Sequence, residues 1–119
     1  MRAMARGSAF LLLLCGCYAM RSMTLGPPAA ARPDNCAIRQ ERITPASADA
    51  RYTQVGVVCL FDFGRSDATH LADLEPEARA DFQERACQMG GEVVVTSGFC
   101  SLSKHSGVEW RVYRATPPL

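Results

Sequence analysis

The sequence predicts a single small α+β domain in which one helix packs on a face of a mostly antiparallel sheet. An apolar stripe at three- and four-residue steps between Leu74 and Met89 predicts the helix. Alternating apolar residues in segments 52–63 and 108–114 predict two strands, and three valines directly after the helix predict a third. With a weaker strand at 36–43, the elements follow the order β-β-α-β-β. The chain of 119 residues is long enough for one domain.

Residues 1–16 have the order of a bacterial signal peptide. The first six residues carry two arginines, and the apolar run at 9–14 is too short to cross a bilayer as a permanent helix. The residues that follow resemble the lipobox of bacterial lipoproteins, namely Leu14, Cys15, Gly16 and Cys17. Ala or Ser is more usual in the second of these positions. The resemblance implies that Cys17 receives lipid, that cleavage follows Gly16, and that the new amino group is acylated.

Lipidation of Cys17 predicts a membrane-bound protein of the bacterial cell envelope, because several acyl chains anchor stably where a single chain does not. Tyr18 occupies the second mature position, where an Asp retains lipoproteins at the inner membrane of enteric bacteria. By that analogy we expect an outer-membrane lipoprotein that faces the periplasm. A soluble secreted or periplasmic protein, released by an ordinary signal cut near Ala19, is the alternative, as is an uncleaved start.

Residues 17–35 are expected to form the lipidated cysteine and a tether. Pro27, Pro28 and Pro33 interrupt a stretch that is rich in alanine and has no hydrophobic periodicity, which favours an extended, semi-stiff chain. The globular domain is therefore expected to occupy residues 36–116.

The first half of this domain contains its strongest strand. Segment 36–43 is a weak strand, and segment 44–51 has the composition of a turn. Segment 52–63 alternates clearly, and Gly56 within it predicts a bulge or a close approach of another part of the backbone.

The helix has recognisable ends. Pro76 suits the first helical position, where a missing N–H costs nothing. Gly90 and Gly91 can adopt the positive φ that ends a helix. Segments 64–69 and 101–107 are predicted loops on either side of the helix and the strand that follows it.

Charge is balanced along the chain. There are 13 basic and 12 acidic residues, and without residues 1–16, which carry Arg2 and Arg6, the counts are 11 and 12. The basic residues form no cluster in the sequence, so the composition argues against nucleic acid as a partner.

The cysteines predict a disulfide-linked domain. Cys15 leaves with the signal peptide and Cys17 is used for lipid, which leaves four cysteines in an oxidising compartment: Cys36, Cys59, Cys87 and Cys100. Two disulfides in one of three connectivities are expected. A hairpin between the first two strands would favour the pairs 36–59 and 87–100, and the other two connectivities remain open.

Other chemistry-bearing residues have simpler explanations. The four domain cysteines include no pair at the short spacing usual in a structural zinc site, and Cys100 with His105 matches no nucleophile signature. His70 and His105 are expected in solvated loops, and Trp110 in the core. Carboxylates that suit the start of the helix dipole are expected to be solvated, namely Glu75, Glu77, Asp81 and Glu84. We therefore expect no catalytic residue, no metal and no cofactor.

Two short motifs resemble those of a known family. One is Tyr-x-x-Val-Gly-Val from Tyr52 to Val57, and the other is Ala-Cys-x-Met-Gly-Gly-x-Val-Val-Val at 86–95. They resemble the small envelope lipoproteins of the RcsF/YbjQ-like group, in which the second motif is close to Ala-x-x-Leu-Gly-Ala-Asp-Ala-Val. Glu92 and Val93 stand where Asp and Ala are more common in that group. The resemblance implies a compact α+β domain on a lipid tether, without enzyme chemistry.

These observations predict a non-catalytic, lipid-anchored envelope protein that binds a protein or another envelope component, in a sensing or structural role. Loops 64–69 and 101–107 and any exposed edge strand are the expected contact surfaces. A small periplasmic metal-binding or thiol-redox protein that uses the four domain cysteines is the alternative.

Overall fold

A computed structural model of the protein describes residues 18–26, 30–62, 70–100 and 107–115. These residues form a five-stranded mixed sheet with two helices. The strands are β1 (Tyr18–Thr24), β2 (Arg39–Gln40), β3 (Tyr52–Asp62), β4 (Val93–Phe99) and β5 (Val108–Ala115), and the helices are α1 (Pro45–Arg51) and α2 (Pro76–Gln88). The predicted α+β class is confirmed. From residue 36 onward, β2, β3, α2, β4 and β5 follow the predicted order, and β1 and α1 are additional elements.

The sheet is mostly antiparallel. Its strands lie in the order β1-β3-β5-β4-β2, and only β2 runs parallel to its neighbour. The pairing of β3 with β5 shifts register between Gln54 and Gly56, so the predicted bulge is confirmed. A Cβ at Gly56 would lie 2.5 Å from Sδ of Met89 and 2.7 Å from the carbonyl oxygen of Met23, which explains why this position has no side chain.

The prediction of a tether is wrong for residues 18–24. They form β1, which pairs antiparallel with β3 along its whole length, from Tyr18 opposite Asp62 to Thr24 opposite Gly56. Arg32 also bonds to the domain, through its N–H to the carbonyl of Cys87 at 2.8 Å. The folded domain therefore already includes residue 18, and the predicted start at residue 36 is wrong. Tyr18 and Met20 are partly buried against the core, whereas residues 21–24 are exposed. This short apolar pattern gives little local signal for a strand, and β3 supplies the backbone hydrogen bonds of β1.

Segment 44–51 is a helix and not the predicted turn. Thr44 caps α1 by accepting a hydrogen bond from the backbone N–H of Ser47 at 3.1 Å, and Pro45 takes the first helical position. The helix prevents segments 36–43 and 52–63 from forming a hairpin. β2 is instead a two-residue strand at the far edge of the sheet, parallel to β4.

Helix α2 and its stop agree with the sequence. Ala78, Phe82 and Ala86 are buried along its apolar stripe. Gly90 has φ +81°, as expected for a helix terminator. Gly91 has a different role, because a Cβ there would collide with the Val112 side chain and lie 2.9 Å from the carbonyl oxygen of Ala86.

The core lies on both faces of the sheet, so the prediction of one helix on one face is incomplete. Helix α2 covers the face that carries Trp110, and the Phe82 and Trp110 rings meet edge to face with centroids 5.1 Å apart. Trp110 is fully buried, as the sequence predicts. Helix α1 covers part of the opposite face, where Ala48 packs on Val95 and Tyr113.

Candidate functional site

The four domain cysteines form two disulfides. Cys36–Cys87 joins the segment before β2 to the last turn of α2, with Cα atoms 5.9 Å apart, and Cys59–Cys100 joins β3 to the residue after β4, with Cα atoms 5.6 Å apart. The prediction of two disulfides is confirmed, but the favoured pairing of 36 with 59 and 87 with 100 is wrong.

The pairing follows from the strand order. Cys36 leads into β2 at the edge of the sheet opposite β1, and α2 ends above it, where the Gln83 side chain donates to the Cys36 carbonyl at 2.6 Å. β3 and β4 both flank β5, so Cys59 lies opposite Glu109 and Cys100 donates its N–H to the Gly107 carbonyl at 3.0 Å. Both cysteines therefore meet at the start of β5.

All four cysteines are shielded from solvent. Their exposed fractions are 8% for Cys36, 0% for Cys59, 0% for Cys87 and 6% for Cys100. Thiol exchange requires an attacking thiolate to reach a sulfur, so burial opposes it. The two cross-links therefore have the character of structural disulfides.

A polar cluster lies beside Cys59–Cys100 on the face that α1 partly covers. Glu109 is only 8% exposed, and the Ser97 hydroxyl donates to its Oε2 at 2.5 Å. Arg111 lies between two carboxylates, with Nε 3.8 Å from Glu109 Oε2 and Nη1 3.7 Å from Asp49 Oδ2. Tyr113 donates to Asp49 Oδ1 at 2.8 Å. The alternation in segment 108–114, with Trp110 in the core, leaves Glu109, Arg111 and Tyr113 on the opposite face of β5. Nothing in the sequence indicates that α1 would cover Tyr113.

The cluster joins α1 to the sheet. Asp49 is the residue of α1 that reaches both Arg111 and Tyr113. The ion pair of Arg111 with Asp49 is long and half exposed, so it contributes little, while the partly buried hydrogen bonds of Tyr113 and Glu109 contribute more. Within the described ranges, no three His, Cys, Asp or Glu side chains converge as a metal site. The geometry therefore supports an anchoring role for these polar groups.

Tyr113 provides a pH-dependent test of this packing. Burial, with a further contribution from the hydrogen bond to Asp49, raises the pKa of Tyr113 from 10.0 to about 12. The folded state holds this proton more tightly than the unfolded state, so the stabilisation is complete below pH 10 and is lost as the pH rises towards about 12. We expect the free energy of unfolding, measured with urea, to fall over that interval. Tyr113→Phe should remove this part of the pH dependence, and an unchanged decline in the variant would contradict the assignment.

A shallow groove of about 250 Å³ lies near β2, lined by Arg32, Ala37, Ile38, Arg39 and Glu92. The Arg32 guanidinium is already bound to the carbonyls of Ala37 and Gly91, at 3.2 and 2.6 Å. Arg39 is bound to Glu41 and to Tyr52. Ligand pockets usually have volumes of about 300–1,000 Å³, so this groove is small, and both its arginines already have partners.

The first residue of β1 is fixed against α2. Tyr18 donates to Asp81 Oδ2 at 3.4 Å, and Arg85 bridges Asp81 Oδ1 and Ser22 Oγ at 2.9 and 3.0 Å. Burial raises the pKa of Tyr18, and the negative charge of Asp81 adds to this effect. The chain is therefore already part of the domain at the residue that follows Cys17.

The remaining predicted residues divide into two groups. Cys17, His105, loop 64–69 and residues 101–106 lie outside the described residues. Among the described residues, His70 is half-buried and Gly107 is buried. The carboxylates expected to be solvated are exposed in three cases, Glu75, Glu77 and Glu84, whereas Asp81 is half-buried and paired with Arg85.

In the part of the chain that the structure describes, no helix is long and apolar enough to cross a membrane. Comparisons with protein-family models, curated proteins and solved structures found no match to this chain. The resemblance to the RcsF/YbjQ-like group therefore stays a prediction.

Proposed function

We propose that this protein is a non-catalytic lipoprotein of the bacterial envelope, anchored by acyl groups on Cys17, whose domain binds a protein or another envelope component. The observation that carries the proposal is the pair of buried disulfides in a chain that begins with a signal-like segment. Disulfides persist in oxidising compartments such as the periplasm and are rare in the cytosol. The outer membrane, with the domain facing the periplasm, is the proposed location.

The exposed edge of β1 supports a binding role. β3 pairs with one side of this seven-residue strand, and no described strand pairs with the other. An edge strand can accept a strand of a partner through backbone hydrogen bonds. A sensing or a structural role is compatible with such a contact, and the partner is proposed to be another envelope component.

Metal binding or thiol-redox activity is the weaker candidate. Both would need cysteine thiolates, whereas the four domain cysteines are joined in pairs and buried. Stoichiometric zinc in the purified protein, or free thiols in its native fold, would favour this candidate over the first.

Intact mass spectrometry of protein purified from its native membrane tests the anchor and the compartment together. We expect a mass equal to the chain from Cys17 onward plus acyl groups, with four cysteines alkylated only after reduction. A Cys17→Ala variant should lack the acyl mass and the cleavage after Gly16. An unlipidated wild-type chain with free thiols would overturn the proposal. Cross-linking in cells then tests the binding role, and failure to recover a reproducible partner would count against it.

A further inference from the structure

The outer edge of β1 is the side of this strand that faces away from β3. In an antiparallel pair, successive residues direct their backbone N–H and C=O groups to alternate sides. Leu25 donates its N–H to the Val55 carbonyl at 2.9 Å. Met23 and Arg21, at two-residue steps before Leu25, therefore also direct their backbone groups to β3. The residues between them direct theirs to the outer edge, namely Met20, Ser22 and Thr24.

This edge is open to solvent along the second half of β1. The side chains of residues 21–24 are exposed, and no described strand pairs with β1 on this side. Each residue directed to the outer edge offers one N–H donor and one C=O acceptor, and a strand that extends the sheet can satisfy both. The backbone therefore provides affinity for an added strand, and the side chains beside the edge decide which strand fits.

The flank of α2 beside β1 carries a net negative charge. Asp81 accepts a hydrogen bond from Tyr18, the first residue of β1, and is paired with Arg85. Glu77 and Glu84 lie one helical turn before and after Asp81 on the same side of α2, and both are exposed. Three carboxylates and one guanidinium give this flank a net charge of −2.

The other exposed cation of α2 does not neutralise this flank. Arg79 follows Glu77 by two residues, which is about 200° around the helix. It lies on the flank of Gln83, whose side chain donates to the Cys36 carbonyl near the opposite edge of the sheet. The carboxylates beside β1 are therefore separated from Arg79 by the body of the helix.

The opposite face of the sheet has a different character beside β1. Arg21 and Met23 are exposed on that face, because strand residues alternate between the two faces. The charged pair of Glu109 and Arg111 on the same face belongs to β5, beyond β3. A strand added to β1 would therefore meet carboxylates on the α2 face, and a thioether and one guanidinium on the other.

We propose that the outer edge of β1 binds an extended segment of another envelope protein, in which the residues that point to the α2 face are Lys or Arg. This inference rests on the proposed binding role and specifies the partner. Directly paired residues share a side of the sheet, so every second partner residue lies beside Glu77, Asp81 or Glu84. The residues between them lie beside Met23 and Arg21, where apolar and acidic side chains fit.

A second copy of this chain fits the edge less well than a basic segment does. Antiparallel pairing of β1 with itself about a two-fold axis places both α2 flanks on one face of the joined sheet, each with its net charge of −2. Pairing centred on Arg21 would also place two guanidinium groups directly opposite each other, which destabilises a sheet. A segment with Lys or Arg on the α2 side avoids both repulsions.

Peptide binding to the full-length protein, purified in detergent from its native membrane, tests the inference. The probe is a labelled peptide of alternating Lys and Val with blocked ends, and its matched control has Glu in place of every Lys. Fluorescence anisotropy at low salt should show at least about tenfold tighter binding of the Lys–Val peptide, because like charges repel across an interface. Salt should reduce this preference. No binding of the Lys–Val peptide, or equal affinities, would overturn the inference.

Variants of β1 test strand addition. Ser22→Pro removes an N–H that is directed to the outer edge, and an edge strand tolerates proline at such a position. Relative to Ser22→Ala, which also lacks the hydroxyl that Arg85 contacts, it should weaken binding of the Lys–Val peptide about tenfold. Urea unfolding establishes that both variants are folded, and equal binding by the two would contradict strand addition.

Variants of α2 test the charge complementarity independently of β1. The double variant Glu77→Gln/Glu84→Gln should weaken binding of the Lys–Val peptide about fivefold, as expected for two exposed ion pairs. Arg79→Gln, on the opposite flank of the same helix, is the control and should change the affinity by less than about twofold. Equal effects of the two changes would contradict the assignment of the basic residues to the α2 face.

Light scattering of the same samples tests the competing occupant. A wild-type dimer that Ser22→Pro converts to a monomer would overturn the inference in favour of a second copy. Any of these contrary results would leave the lipid anchor and the disulfides of the proposed function intact. Intact mass and alkylation test those separately, and an unlipidated chain with free thiols would overturn the proposed function whatever the peptide affinity.

Discussion

Loss of both disulfides is expected to unfold the domain. The two disulfides close loops with sequence separations of 51 and 41 residues. For loops of this length, the chain-entropy model gives about 4 kcal/mol of stabilisation for each disulfide. A small domain has a total free energy of unfolding of roughly 5–15 kcal/mol, so losing both cross-links removes most of it. We expect the double variant Cys59→Ala/Cys100→Ala to unfold at a markedly lower urea concentration, and the variant without any of the four cysteines to be unfolded in buffer.

Reductant provides the matched control for this experiment. It should unfold the wild-type domain and have no effect on the variant that lacks all four cysteines. Fluorescence of Trp110, fully buried in the folded state, reports the transition. Peptide mapping without reductant should recover the linked pairs 36–87 and 59–100. A wild-type unfolding midpoint that reductant does not change would contradict the structural role of the disulfides.

Phe82→Ala is expected to lower the free energy of unfolding by about 3–5 kcal/mol, because it leaves a cavity between α2 and the sheet. Phe82 is 1% exposed and packs edge to face on Trp110. Its removal deletes both the buried area and the aromatic contact, and the small residues beside it on α2, Ala78 and Ala86, cannot fill the space.

The same substitution at Phe99 is the control for Phe82→Ala. Phe99 is 85% exposed, so its truncation should change the free energy of unfolding by less than about 0.5 kcal/mol. Urea unfolding of both variants, without membranes, measures the difference. Similar losses for the two variants would contradict the placement of the core between α2 and the sheet.

The main helix and the central strands could be predicted from the sequence because each carries a strong local pattern. The apolar stripe of α2, Pro76 at its start and Gly90 at its end all describe one helix, and β3, β4 and β5 alternate or are rich in β-branched residues. The start of α1 also had a local signal, Thr44 followed by Pro45, which the turn-like composition of segment 44–51 obscured.

The site was harder to anticipate because its geometry depends on long-range pairing. Compartment and cysteine number predicted two disulfides, but their partners depend on which strands flank β5. Glu109 and Tyr113 were placed opposite the buried face of β5, and their burial depends on what packs against them: α1 covers Tyr113, and the polar cluster adjoins Cys59–Cys100. The exposure of Phe99 at the end of β4 likewise depends on which elements pack against that strand.

The sequence by itself determined the α+β class, the main helix and the central strands, because each depends on residues three or four positions apart or on simple alternation. It also determined that four cysteines would pair. Only the tertiary structure decided that residues 18–24 form an edge strand, that β2 lies beside β4, and which cysteines meet. The physical reason is that a strand obtains its hydrogen bonds from a neighbour distant in the chain. Its own residues therefore do not show which strand it pairs with or which of its faces is covered.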